Sequence, residues 1–233
     1  MRFLKLYLDT YRNFSLPIWL DVVAVFVNSA GTMMSFFIAL YLVKIEHYSI
    51  AQMSWVLSSG GMGAIIGSYV GGWLADRFNH VYLMQITLLL SAVANFLLPW
   101  THIYFLMLVL IFTLNFWIYA FRPANSLVLF AHCAEPDRTR VFALYRTAFN
   151  LGLAFAVAVG GWLAEKNFNY FFVFSGVMSV IACGLLVKWY PVLVEKSVSR
   201  PTHALPSWKS FSKQTAFLWT AILFFGHIIH QLS

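Results

Sequence analysis

Residues 63–75 read GAIIGSYVGGWLA and residues 152–164 read GLAFAVAVGGWLA, with small residues at every fourth position and the same GGWLA ending. The two copies begin 89 residues apart, which is the length of three membrane-spanning helices and their loops at ~20 apolar residues per span. Three crossings are an odd number, so the copies run in opposite directions through a bilayer. Inverted repeats of this kind build secondary transporters, which makes transport the leading expectation.

Composition supports the membrane half of that reading. The chain is 61% apolar and only 10% charged, with a mean hydropathy of +0.76, whereas soluble domains carry about a quarter charged residues. Apolar runs occupy residues 16–43, 51–75, 81–100, 103–131, 142–164 and 170–189, and a seventh begins near residue 215. Each is long enough to cross, and lipid leaves the helix as the way to satisfy the backbone. Alternating strands of barrel type are not seen. The rival is the buried core of a soluble helical protein.

Basic residues set the topology. Arg2, Lys5, Arg12, Arg77, Arg138, Arg140, Arg146, Lys188, Lys196, Arg200, Lys209 and Lys213 fall at one set of span ends and loops, against Lys44 and Lys166 at the other. By the positive-inside rule this predicts a cytoplasmic amino terminus in a multi-pass inner-membrane protein. It also accounts for the net charge of +7 without a nucleic-acid partner. The first apolar run is too long for a cleavable signal, so it is expected to remain. Cys133 and Cys183 fall at different depths, and no C-x-x-C or zinc spacing is present; no metal or cofactor is expected.

The repeated segments have a packing rationale. Gly63, Gly67 and Gly71 lie at i, i+4 and i+8, as do Gly152, Ala156 and Gly160, so each helix carries a stripe without side-chain bulk. In lipid, helices gain by close backbone approach along such stripes. The copies continue alike, as GGWLADRFN and GGWLAEKNFN.

These residues resemble a known family. Gly72-Trp73-Leu74-Ala75-Asp76-Arg77 is similar to the loop signature G-x-L-a-D-R-x-G-R-[RK] between helices two and three of the major facilitator superfamily. The resemblance implies a gating role for Gly72, Asp76 and Arg77. Asn79 stands where the family has Gly, and His80 and Val81 where basic residues are usual. Arg122, in FWIYAFRPANS, resembles the fourth-helix arginine of drug-efflux-like and related branches. The run from Gly152 to Gly161 resembles the fifth-helix antiporter motif g-x-x-x-G-P-x-x-G-G, with Ala156 and Val157 in place of Gly-Pro.

Polar residues inside the spans mark the candidate site. Arg122 lies nine residues from the end of its apolar run, roughly 14 Å at 1.5 Å per residue. An unpaired charge at such depth costs at least about 3 kcal/mol, so it is a functional hypothesis by default. Asn115, Tyr119, Arg122 and Ser126 share one helical face, and Asp21, Asn28, Thr32 and Ser35 share another. Both faces are expected to line a water-filled cavity. Asp21 would pair with Arg122 across it and carry a proton, or else sit near the headgroups; Arg122 would contact substrate or belong to a structural charge network. Asn150, four residues after Arg146, is a further lining candidate, and Pro123 is expected to kink the fourth helix. His227 and His230 share a face of the last span, without the third ligand that a metal site would need. No H-E-x-x-H, P-loop, G-x-S-x-G or Rossmann pattern occurs, so an enzyme is not expected.

The predicted fold is thus all-α: a polytopic transmembrane bundle with a three-plus-three inverted repeat. Residues 1–190 would form a six-helix half, with repeats at about 16–100 and 103–190; 191–214, with three prolines and four basic residues, a cytoplasmic linker; and 215–233 part or all of a seventh helix. The expected function is secondary transport of a small solute by alternating access, with proton coupling as an option and drug-like efflux or solute uptake both open. Partners would be the lipid bilayer, the solute, protons, and a second transporter half or a self-association that replaces it. The alternative is a non-transporting or truncated membrane subunit.

Overall fold

Ser49 and Asn79 start two helices where the sequence breaks its apolar runs. Ser49 Oγ accepts from the Gln52 amide at 3.3 Å while Gln52 Oε1 accepts from the Ser49 amide at 2.9 Å, a reciprocal capping box. Asn79 Oδ1 accepts from the Tyr82 amide at 3.1 Å. A residue that departs from the superfamily loop pattern therefore has a local task here: it caps the next helix.

The computed structural model describes residues 14–32, 34–166 and 168–189, with the backbone alone at 34, 35, 164 and 165. Among these residues the α-helices are α1 (Leu16–Ala30), α2 (Met34–Lys44), α3 (Ile50–Ala75), α4 (His80–Leu97), α5 (Tyr104–Ala131), α6 (Arg138–Lys166) and α7 (Asn169–Lys188). A 3₁₀ turn, Leu98–Trp100, extends α4, and another, Glu135–Asp137, precedes α6. No strand occurs among the described residues. The expected linker at 191–214, the seventh helix at 215–233, and His227 and His230 lie outside them.

The first apolar run was expected as one helix, but the structure interrupts it after Ala30. Gly31 and Thr32 donate their amides to Asn28 and Ser29 at 3.1 and 3.0 Å, tightening the last turn, and helix resumes at Met34 as α2. A close crossing lies at this point. A Cβ at Gly31 would stand 2.7 Å from Met178 Cβ and 3.3 Å from the Ser175 carbonyl oxygen on α7. Together α1 and α2 make the first span, and α3 to α7 make spans two to six. α5 continues through Pro123 without interruption.

The glycine stripe of α3 seats directly on the backbone of α5. A Cβ at Gly63 or Gly67 would run into the carbonyl oxygen of Phe112 or Phe116, and one at Gly71 would stand 2.5 Å from Ala120 Cα. Ser59 Oγ also donates to the Leu108 carbonyl at 3.1 Å. The same sequence offset separates all four pairs, so the two helices run parallel and in register over three turns. The second stripe does the equivalent job on the first span. A Cβ at Gly152 would meet the Phe26 carbonyl oxygen at 2.6 Å, and Ala156 is fully buried beside Phe171.

The main packed pairs of spans are two with four, five with one, three with four, six with one, and three with six. Shifting every number by three, cyclically, returns the same set. That is the symmetry of a three-plus-three repeat, now visible in contacts as well as in letters.

The surface is apolar. Ile65, Tyr69, Phe105 and Trp100 are 73, 78, 73 and 83% exposed, a distribution suited to lipid and to further helices rather than water. α4 with its 3₁₀ turn, α5, α6 and α7 are long and apolar enough to cross a membrane. Glycines and serines dilute the hydropathy of α3, whose 26 residues extend about 39 Å. At the end of the first span, Glu46 Oε1 accepts from Tyr41 Oη at 2.8 Å and faces His102 Nδ1 at 3.2 Å, linking the loop after α2 to the turn after α4.

The seat of α3 on α5 can be tested by volume. Gly67→Leu and Ala156→Leu should each lower the melting temperature in detergent, by a loss on the order of 1–3 kcal/mol or more as for other overpacked cores. Gly61→Ala, at a glycine with nothing within 4 Å, should leave it unchanged or raise it. Wild-type stability for both leucine variants would overturn the packing role.

Candidate functional site

α5 carries the polar residues that the bundle arranges around itself. Between Arg77 and Glu135 the chain has one charged residue, Arg122. Its guanidinium carbon stands 4.2 Å over the Tyr119 ring and 5.7 Å from the Phe149 centroid on α6. The side chain is exposed on the bundle surface. With Ser126 it lines a cavity of about 150 Å³ against Phe142, Tyr145, Arg146 and Phe149 of α6.

The expected pairing of Asp21 with Arg122 is not what forms. Asp21 is 1% exposed, and its Oδ1 accepts from Asn125 Nδ2 at 2.6 Å. Asn125 lies three residues beyond Arg122, on the neighbouring edge of the same helix, and it is that edge which faces α1. Among the described residues Asp21 Oδ2 and Asn125 Oδ1 have no hydrogen-bond partner. Asp21 is therefore buried between helices rather than facing lipid.

The rest of the α1 stripe turns inward as well. Asn28 and Thr32 line a pocket of about 20 Å³ with Gly31, Asn95, Ser175 and Ser179, large enough for one water. Thr32 Oγ1 donates to the Asn28 carbonyl at 3.2 Å and Asn95 Nδ2 to the Ser91 carbonyl at 2.9 Å. Among the described residues Asn95 Oδ1 and Ser175 Oγ have no hydrogen-bond partner. This packet joins spans one, three, four and six from inside, so Asn28 and Thr32 do not share one open cavity with Arg122 as the wheel suggested. The side chain of Ser35 lies outside the described residues.

Asn115 and Tyr119 do reach a larger space. With Gly60, Gly61 and Ala64 of α3 they line a cleft of about 170 Å³. Asn115 Nδ2 donates to the Ile111 carbonyl at 2.9 Å, and a Cβ at Gly60 would stand 2.9 Å from that nitrogen. Tyr119 thus lies between two spaces: it lines the Asn115 cleft and supports the Arg122 guanidinium beside the next. Asn150 is exposed one turn beyond Arg146 and is not among the residues lining the Arg122 cavity.

The loop motif is exposed. Asp76 ends α3 as its carboxy-terminal cap, and Arg77 holds its guanidinium 4.0 Å over the Trp73 ring. Nothing lies within 4 Å of the place where Gly72 would carry a Cβ. Val81, in a position where the motif carries a basic residue, is fully buried. Wheel reasoning missed Asn125, Tyr145 and Phe149. The clue available was Asn125 itself, an amide inside an apolar span.

Six spans paired with threefold-shift symmetry, a G-x-L-a-D-R loop after the second and an arginine in the fourth form a recognisable set. The family model described as Major Facilitator Superfamily matches residues 22–233. The chain belongs to that superfamily. It is similar to the "Uncharacterized MFS-type transporter YqjV" of Bacillus subtilis (strain 168), 23% identical over 200 residues, covering 78% of this chain and 45% of the relative. It is also similar to the "3-(3-hydroxy-phenyl)propionate transporter" of Escherichia coli (strain K12), 28% identical over 197 residues, covering 78% and 46%. The "Multidrug resistance protein 1" of Bacillus subtilis (strain 168) is 28% identical over 131 residues, covering 54% and 33%. The chain spans less than half the length of each of these curated superfamily relatives. It is a multi-pass helical membrane protein.

The Asp21–Asn125 bond gives a stability prediction. Asn125→Ala should destabilise the bundle by about 1–3 kcal/mol, because a buried acceptor loses its donor. Thermal unfolding in detergent measures this, and in a double-mutant cycle with Asp21→Asn the two effects should couple. Strict additivity would show that the two side chains do not interact.

Proposed function

We propose that this chain is a six-helix body of a secondary transporter that moves a small solute by alternating access. The observation that carries the reading is Arg122: a charge in mid-span, exposed at a cavity and in no ion pair among the described residues. Lipid penalises a permanent cation there, so the α5 face bearing it needs water, a ligand or another polar helix surface opposite. In the superfamily that surface belongs to a second six-helix body, and the substrate path runs between the two. A second such body completes the path. Relatives named as transporters of a hydroxyphenylpropionate and of galactarate or glucarate support a solute-carrying rather than an enzymatic role.

Asp21 is the proton-carrying group in this reading. Its Oδ2, without a partner among the described residues, is where a proton would add, and Asn125 connects it to the helix turn that holds Arg122. Protonation changes what Asn125 faces, which couples it to the arginine and its cargo. The excess of Arg and Lys at one set of span ends orients the body in the inner membrane with a cytoplasmic amino terminus. Asp76 and Arg77 then lie on the cytoplasmic surface, available to the partner body as a gate contact.

Two measurements test the site. Arg122→Ala should abolish solute accumulation by the whole transporter with unchanged membrane yield, and Asp21→Asn should flatten the dependence of transport on pH. Undiminished transport by Arg122→Ala would remove it from the path. A non-transporting subunit would need no wetted cleft, so Asn115→Cys should react with a membrane-impermeant maleimide much faster than Asn28→Cys, whose position faces the internal packet. Equal and negligible labelling at both sites would favour the non-transporting alternative.

A further inference from the structure

α6 carries an aromatic ladder with a guanidinium at each end. Phe142, Tyr145 and Phe149 recur at i, i+3 and i+7, so one helix face presents all three rings. Ring centroids stand 5.7 and 6.5 Å apart along the series, with planes only 23° and 19° from parallel. Arg146 places its guanidinium carbon 6.0 Å from the Phe142 centroid, and Arg122 places its own 5.7 Å from that of Phe149. With Ser126, these side chains line the cavity of about 150 Å³.

Among the described residues no acidic side chain lines that cavity, and neither arginine takes part in an ion pair. Asp21 is bonded to Asn125 instead. Two guanidiniums in one cavity repel each other and any cation, and each presents a fork of donors that fits a carboxylate. A cavity of about 150 Å³ is the size that takes one benzene ring, and three rings already line this one. Arg146 is eight residues into α6, about 12 Å along it.

We propose that this cavity binds an aromatic carboxylate, with Arg146 at one end of the Phe142–Tyr145–Phe149 ladder holding the carboxylate, the ladder receiving the ring, and Arg122 at the other end adding to the positive potential. The proposal rests on the transport reading and names the substrate class of the same site. Single negative charge, planarity and one ring are the required features.

The test is binding, so that it is independent of transport. The full natural protein in phosphatidylcholine nanodiscs, free of anionic lipid, is titrated calorimetrically with benzoate, with the neutral isostere benzamide and with inorganic phosphate. Benzoate should bind saturably and benzamide about tenfold more weakly or worse, the scale of a lost charge-assisted bond. Arg146→Gln should weaken benzoate by a similar factor at an unchanged melting temperature, with Arg146→Lys between the two. Equal binding of benzoate and benzamide, no saturable benzoate binding, or wild-type affinity in Arg146→Gln would overturn the proposal. Phosphate displacing benzoate at equal concentration would overturn the aromatic half of it. If benzoate fails to bind while the reconstituted protein still accumulates some other solute, the substrate class is wrong and alternating access stands; if accumulation fails as well, both fall.

Discussion

Backbone touching backbone between α3 and α5 is the constraint on which the rest of this bundle depends. Lipid tails are as apolar as leucine, so helices in a membrane gain little from hiding apolar side chains from one another. What remains is contact, and contact is greatest where side chains are absent. Gly63, Gly67 and Gly71 lay three successive turns of α3 against Phe112, Phe116 and Ala120, fixing the rotation, direction and register of α5 at once. Once α5 cannot rotate, the destinations of Asn115, Tyr119, Arg122 and Asn125 follow. Three of these reach cavities, and Asn125 faces α1.

The polar groups then divide by what satisfies them. Thr87 and Ser91 donate back to carbonyls three residues earlier, and Thr113 and Ser126 to carbonyls four earlier, so each is neutralised within its own helix. Asn28, Thr32, Asn95, Ser175 and Ser179 gather into one small packet. Asp21 and Asn125 close on each other. Arg122 and Arg146 are treated differently: aromatic rings flank them, and no acid among the described residues answers them. Cation–π contact contributes about 0.5–2 kcal/mol, less than the cost of a bare cation at depth, so the rings hold the guanidiniums in place without removing their demand for an anion or for water.

How much of this was legible in the letters depends on how local the signal is. The glycine stripes were legible because four-residue spacing and helix packing are properties of one helix, and because the 89-residue repeat displays them twice. The loop after α3 was legible for the same reason. The partner of Asp21 was not. A helical wheel says which residues share a face, but Arg122 and Asn125 differ by only about 60° in phase at 3.6 residues per turn, and which of them meets α1 is set by the α3–α5 contact across the chain. The interruption of the first span was hidden too: residues 16–43 read as one apolar run, and α7 crosses closely at Gly31, where the break lies.

The symmetry of the span pairings makes its exceptions informative. Spans two and five are repeat mates with matching stripes, and each packs on the partner that the other's contact implies. Ahead of the stripe they differ: Arg146, Tyr145 and Phe149 lie on α6, whereas α3 offers Leu57, Val56 and Gly60 at the positions 89 residues earlier. Shared letters in the stripes are explained by packing, which both helices must satisfy. Letters present in one mate alone are not needed for packing, since the other mate packs without them. The arginine and aromatic side chains of α6 belong to that unmatched set, as does Arg122 on α5, whose mate in the first span presents no arginine at all. Bilayer physics selects against unmatched cations unless something else selects for them, and the three-plus-three architecture thereby separates what holds the bundle together from what the bundle holds.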